Sequence, residues 1–276
     1  MSEIEFSIAQ DAIRALLYEV VTAPKPGLVD PISSGPHPDM DTYLFIDSSL
    51  SLQPYFEEAV RIGANFKGKN LTEMFNKLRQ AGIEAEKTMF AATNNVNTHK
   101  GAIFSLGVLV CAESYRETSG GDTFEIVKKM TKGLVRHDLK NLNHKQTAGE
   151  KEYLQYGKTG IRGEAEAGYP IVKDIALPFL KNSTGELKAR LLDTLMKIAT
   201  ETEDSNLIKR AGNIQVLTWL KEVANNYLRL GGYNSEKGRK YLDQLNQVCL
   251  KNNYSLGGCA DLLILTIFIG LRRNYI

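Results

Sequence analysis

Read for the spacing of its apolar side chains, the chain is a succession of helices. In NLTEMFNKLRQAGIEAEKTMFAAT, Met74, Leu78, Ala81, Ala85 and Met89 recur at three- and four-residue steps, which puts them on one helical face. Asn70 stands at the N-cap position and Glu73, three residues on, completes a capping-box signature. GDTFEIVKKMTKGLVRHDL repeats the pattern: Asp122 and Glu125 form the box, and Phe124, Val127, Met130 and Leu134 make the stripe. Leu187, Leu191, Leu195 and Ile198 form a third stripe, and Leu242, Leu245 and Val248 or Cys249 a fourth. CADLLILTIFIGLRR is apolar nearly all round but shorter than the roughly 20 residues of a membrane span, and Asp261 sits near its start. It reads as a central helix wrapped by others.

Strand-like alternation is hard to find, so the pattern predicts an all-α fold of nine or ten helices. No repeat, low-complexity run or Pro/Gly/Ser-rich linker divides residues 1–276, and a single compact domain is expected. HDLKNLNHKQTAGEKEYLQ and RLGGYNSEKGRK are expected to be surface loops.

Composition narrows the function. With 43% hydrophobic and 24% charged residues the chain has the make-up of a soluble globular protein. Its 34 basic and 32 acidic residues give no global attraction to nucleic acid or to an anionic membrane, so any anion binding is local. Cys111, Cys249 and Cys259 lack metal-ligand spacing and read as reduced core thiols. MSEIEFSIAQ has neither a basic start nor a long apolar run, and a cytoplasmic location follows as the expectation.

What remains unusual is the connectors. TAPKPGLVDPISSGPHPDMDTYLFIDSSLSL carries five prolines and two glycines, with Lys25, Asp30, His37, Asp39, Asp41 and Asp47 spaced along it. Several carboxylates near one lysine can hold a hydrated Mg²⁺ that meets phosphate oxygens, or they simply cap the helix near Tyr43. NNVNTHKGAIFSLG sets Asn97, Thr98, His99 and Lys100 directly against an apolar helix start at Gly101. Unpaired N–H groups there, the helix dipole and the lysine charge suit an anion. Spacing alone favours a structural histidine at position 99.

GKTGIRGEAEAGYP places Arg162, Glu164 and Glu166 among four glycines; in an extended segment both glutamates face one ligand, whereas in a helix they diverge. Such carboxylates act as general bases, general acids or partners of an oxocarbenium-like transition state. ETEDSNLIKRAG supplies Asp204, Asn206 and Arg210, with Asp204 or Ser205 as a plain N-cap alternative. YSLGGCADLL supplies Gly257, Gly258 and Asp261. None of these segments is a P-loop, a G-x-G-x-x-G turn, an H-E-x-x-H helix or a paired-Cys site.

Together PKPGLVD, SGPHPDMD, NTHKGAIFSLG, RGEAEAGYP, DSNLIKRAG and LGGCADLL resemble the triphosphoribosyl-dephospho-CoA synthase family, over roughly residues 14–270. The resemblance implies transfer of the triphosphoribosyl group of ATP to the 2'-hydroxyl of 3'-dephospho-CoA, with adenine leaving, to make the precursor of the citrate lyase prosthetic group. A downstream link to the acyl carrier protein of that enzyme is implied as well. It also implies Lys25, Lys100, Arg162 and Arg210 on phosphates and Mg²⁺ at Asp39 and Asp41. Glu164 or Glu166 would be the base or oxocarbenium stabiliser, and His99 would orient phosphate or base. Asn97, Thr98, Gly101, Asn206, Gly257 and Gly258 complete the expected binding set, and Asp30, Asp47, Asp204 and Asp261 are further candidate carboxylates. The chain departs from the family pattern at Pro31, where a basic residue is usual, and at Pro36, Lys209 and Cys259. Two other readings are the same reaction serving malonate decarboxylase and a catalytically silent nucleotide-binding protein.

Overall fold

The computed structural model describes residues 2–140 and 153–276, and among them helices account for all regular structure, with no strand. The chain opens with α1 (Glu3–Val21), where Ser2 and Glu5 satisfy each other's backbone N–H groups in a complete capping box. The long connector follows and ends at α2 (Thr42–Ser51), capped by the Asp41 carboxylate accepting from Leu44 N–H. Next come α3 (Gln53–Asn65), α4 (Leu71–Ala92) and α5 (Lys100–Ser119). Asn70 caps α4, through Thr72 N–H rather than in the reciprocal box with Glu73 that the spacing predicts, and Met74, Leu78, Ala85 and Met89 are buried, with Ala81 partly so.

The stripe from Phe124 to Leu134 is buried but does not lie on one helix. It splits into α6 (Thr123–Met130) and α7 (Leu134–Lys140), because Gly133 adopts a left-handed φ of 82°. Of the loop expected at 137–155, residues 137–140 are helical, 153–155 belong to a helical turn, and 141–152 lie outside the described residues. The glycine-rich connector after it is also helical: α8 (Gly160–Ala167), a π-helical turn (Ile171–Ala176) and α9 (Leu177–Asn182). Then follow α10 (Leu187–Ala199), α11 (Ser205–Ala211), α12 (Val216–Arg229), a 3-10 turn (Gly232–Asn234), α13 (Glu236–Asn252) and α14 (Gly257–Arg272). The loop expected at 229–240 is thus confined to a tight turn. Short helices inside the connectors raise the total above the nine or ten that the long stripes predict. Leu187 and Val248 are largely exposed, so Cys249 rather than Val248 completes the α13 stripe.

Helix α14 is buried without a break from Leu262 to Leu271 and α5 from Ser105 to Ser114, so these two make the centre. They lie side by side and parallel. Gly101 faces Asp261 at their starts, and twelve residues further along each, Glu113 meets Arg273. At 1.5 Å per residue those two levels are about 18 Å apart. Helix α1 packs on α14 and α3, while α11 packs on the start of α14. All three cysteines are buried and free.

Candidate active site

Two carboxylates organise the start of α14, one tying it to α11 and the other resting on α5. Asp204, the N-cap of α11, accepts from Leu207 N–H at 3.0 Å through one oxygen and from Cys259 N–H at 2.9 Å through the other. It is fully buried and thereby fastens the start of α14 to α11. Only glycine fits beside it: a Cβ on Gly258 would lie 3.0 Å from the Asp204 carboxyl carbon, and one on Gly257 would lie 2.6 Å from Asn206 Nδ2. One turn on, Asp261 presses its carboxylate against Gly101, where an added Cβ would stand 2.1 Å from Oδ2. Burial, with Asp204 and Glu19 nearby, pushes the Asp261 carboxyl up to about 8.

The first connector reaches the same place from the other side. Lys25 is fully buried, donating from Nζ to the Glu19 carbonyl at 2.6 Å and to the Glu19 carboxylate. Burial pushes the Glu19 carboxyl up while Lys25 pulls it down. Asp30 holds the loop in shape, accepting from the N–H groups of Lys25 (2.7 Å), Ile32 (2.8 Å) and Ser33 (2.9 Å). Pro31, the departure from the family pattern, is exposed within that turn, so it leaves the Asp30 hydrogen bonds in place.

His99 is the N-cap residue of α5 and is buried. Its Nδ1 is 2.8 Å from Ser48 Oγ, which is itself 2.6 Å from Thr98 Oγ1, and Phe45 packs edge-on to the ring. Nε2 has no partner. Burial and the nearby Lys25 charge hold the imidazole down at about 3, so it is neutral at physiological pH. The Asn97 side chain accepts from Lys100 N–H at 3.3 Å, whereas the Lys100 ammonium reaches outward to Glu86 at 2.7 Å.

The two glutamates of the third connector part company because the segment is a helix. Glu164 is partly buried, accepts only a long 3.4 Å contact from Ile171 N–H, and is pushed up to about 7 by burial, with Glu203 adding to the rise. Glu166 faces α7, accepting from the N–H groups of Gly133 and Val135, each at 2.8 Å. Buried Tyr169, at a left-handed φ of 52°, donates to the Ser105 carbonyl at 3.2 Å; Glu164 and Asp261 both help raise its hydroxyl. Glu164 and Asp261 thus both lie within electrostatic reach of one tyrosine. Gly160 lies against Ser205, which brings α8 to the start of α11.

Other expected residues lie further out. Arg162 sits 3.4 Å from Asp138, which also takes two bonds from Arg79. Arg210 donates to the Pro36 and Asn253 carbonyls and to Asn253 Oδ1, and stands 3.0 Å from His37 Nδ1; His37 Nε2 meets Ser255 Oγ at 3.1 Å. Burial and that guanidinium push His37 down to about 4. Asp39, Asp41 and Asp47 line an open depression of about 490 Å³ with Tyr43 and Met40. Among the described residues no three His, Cys, Asp or Glu side chains form a group that holds a metal by themselves. One or two carboxylates do suffice for a Mg²⁺ that arrives on a triphosphate, since that ion keeps waters and phosphate oxygens as its other ligands. The exposed aspartates of the depression fit that role.

Five of the expected segments thus converge: Lys25 and Asp30, His99 and Gly101, Glu164, Asp204 and Asn206, and Gly257 through Asp261. Sequence spacing did not single out Glu19, Ser48, Tyr169 or Glu203. Glu19 carried a signal, being a charge within the apolar run of α1.

Comparison with known proteins gives the chain its class, an enzyme that transfers a group from ATP. The family described as ATP:dephospho-CoA triphosphoribosyl transferase matches residues 5–276, and the chain belongs to that family. It is 54% identical to a probable 2-(5''-triphosphoribosyl)-3'-dephosphocoenzyme-A synthase of Lactiplantibacillus plantarum, over 97% of each chain. It is 51% identical to the protein CitXG of Leuconostoc mesenteroides subsp. cremoris, covering 95% of this chain and 58% of that longer one. A probable synthase of the same name from Citrobacter koseri is 38% identical over 94% of this chain and 88% of its own. No solved structure matches the chain. Among the described residues no helix is long and apolar enough to cross a membrane.

Proposed function

We propose that the cluster between the starts of α5 and α14 is where the triphosphoribosyl group of ATP passes to the 2'-hydroxyl of 3'-dephospho-CoA. In that step the bond from the ribose anomeric carbon to adenine breaks, a carbon–oxygen bond to the acceptor forms, and one proton leaves the acceptor hydroxyl. The observation that carries the reading is Glu164: a partly buried carboxyl with no ion pair among the described residues, pushed up to about 7 by burial, on the helix whose first residue, Gly160, lies against Ser205 at the start of α11. A base matched to neutral pH is what removal of a hydroxyl proton needs. Glu166 is committed to capping α7, which leaves Glu164 as the base of the pair.

The retained triphosphate extends outward past Asn206 to Arg210, and Asp39 and Asp41 would hold a Mg²⁺ carried on it. That ion would supply neutralisation of the phosphate charge. Lys100 adds a mobile cation at the mouth, and buried Lys25 balances Glu19 rather than touching substrate. His99 is a positioning group at the start of α5. The product serves as precursor of the citrate lyase prosthetic group and is passed on toward the acyl carrier protein of that enzyme. Three buried thiols suit the reducing cytoplasm in which this takes place.

Chromatography after incubation with ATP, Mg²⁺ and 3'-dephospho-CoA tests the reading. Adenine formed only with acceptor, together with an acceptor heavier by one triphosphoribosyl unit, is the expected result. Intact ATP, or phosphate in place of adenine, would overturn it.

A further inference from the structure

The carboxyls of the deep cluster differ in what they are free to do. Glu19 is tied to Lys25, Asp30 to three backbone N–H groups, and Asp204 to two. All three are almost wholly buried. Asp261 stands among them with no hydrogen-bond donor and no ion pair among the described residues, and it keeps contact with solvent. Its place is fixed by packing instead: the carboxyl lies on Gly101, the one residue type that leaves it room at the start of α5. An unpartnered carboxyl beside other carboxylates is stable there only while it keeps its proton.

Every neighbour points the same way. Glu19 faces Asp261 from α1, Asp204 from the start of α11, and Tyr169 and the Cys259 thiol, both uncharged, from the π-turn side and from α14 itself. Lys25 is spent on Glu19, and His99, at the start of α5, is neutral.

Building on the proposed reaction, we infer that Asp261 protonates the departing adenine, leaving Glu164 to receive the proton of the acceptor hydroxyl. The electron pair of the broken carbon–nitrogen bond goes to the purine, and the Asp261 proton moves to a purine nitrogen. The acceptor oxygen bonds the anomeric carbon, and its proton ends on Glu164. Solvent then returns a proton to Asp261 and takes one from Glu164, so the net change is one proton carried from acceptor to adenine. Both carboxyls lie within electrostatic reach of Tyr169.

The test is the pH dependence of kcat/KM for ATP in wild type and Asp261→Asn. Wild type should lose activity above about pH 8, as Asp261 gives up its proton. In Asp261→Asn the rate should fall on the order of 100-fold or more and the alkaline limb should vanish. A retained limb, undiminished turnover, or a loss cured by extra Mg²⁺ would overturn the assignment, the last making Asp261 a metal holder. If the Asn variant does not fold, Gly101→Ala answers the same question, because alanine suits the helix while its methyl displaces the Asp261 carboxyl. A tenfold or greater loss of turnover with an unchanged melting temperature is expected, and full turnover would refute the role. Wild type that releases no adenine would sink the underlying reaction, whereas adenine release unaffected by both substitutions would sink only the role of Asp261.

Discussion

The two central helices carry a buried acid at each end, and the two acids behave in opposite ways. At the C-terminal level Glu113 is fully buried, yet Arg116 and Arg273 each grip it with two bonds and the Thr123 hydroxyl adds another. Those donors overcome burial and hold the carboxyl down at about 2. About 18 Å away along the same helices, Asp261 has carboxylates for neighbours and no cation of its own, and it rises to about 8. Burial is common to both; the supply of donors differs. A satisfied acid is a fastening, whereas an unsatisfied one at the edge of solvent is a proton store. Arginines grip the one acid, and among the described residues none reaches the other.

Glu164 belongs with Asp261, since burial raises it too, and the largest effect expected of that group is that of Glu164→Gln. Turnover should fall on the order of 100-fold or more, with melting unchanged, because the carboxyl makes only one long hydrogen bond in the fold. Glu113→Gln should do the reverse: it leaves two arginines facing a neutral amide and costs about 3 kcal/mol in denaturant unfolding, while activity per folded molecule is kept.

The two ends also answer differently to pH. Glu113, depressed in the fold, contributes stability that is complete above the ordinary carboxylate range and is lost as pH falls toward 2. Asp261, raised in the fold, has the opposite sign: the folded state binds the extra proton, so stability declines as pH rises from the ordinary carboxylate range to about 8. Asp261→Asn should therefore melt on the order of 10 °C higher than wild type at pH 8 and about the same at pH 4, by calorimetry. The smallest effect belongs to Lys100→Ala. That ammonium is half exposed and paired with Glu86, so KM for ATP should rise about threefold with kcat unchanged.

The repeating half of this architecture could be read from spacing, while the discriminating half could not. The stripes on α4, α10 and α13, the caps at Asn70 and Asp122 and the central position of α14 follow from contacts within four residues, which local sequence records. The connectors were recognisable as the place of chemistry, and Asp204 and Asp261 were among the candidates. What each does depends on distant partners. Glu166 is taken up by backbone N–H groups more than thirty residues earlier, and Lys25 by a glutamate on another element. Glu164 and Glu166 diverge only because GIRGEAEA is helical, which its glycines argued against. Nothing in the local spacing marks Gly101 as the seat of Asp261, since that contact spans 160 residues.

The most direct test of the contrast is a pH titration of protein labelled with ¹³C at the aspartate and glutamate side-chain carboxyls, followed by NMR. One carboxyl with a midpoint near 8 that disappears in Asp261→Asn, and another still ionised at pH 3 that disappears in Glu113→Gln, is the predicted result. Asp261 and Glu113 titrating together in the ordinary carboxylate range would contradict it.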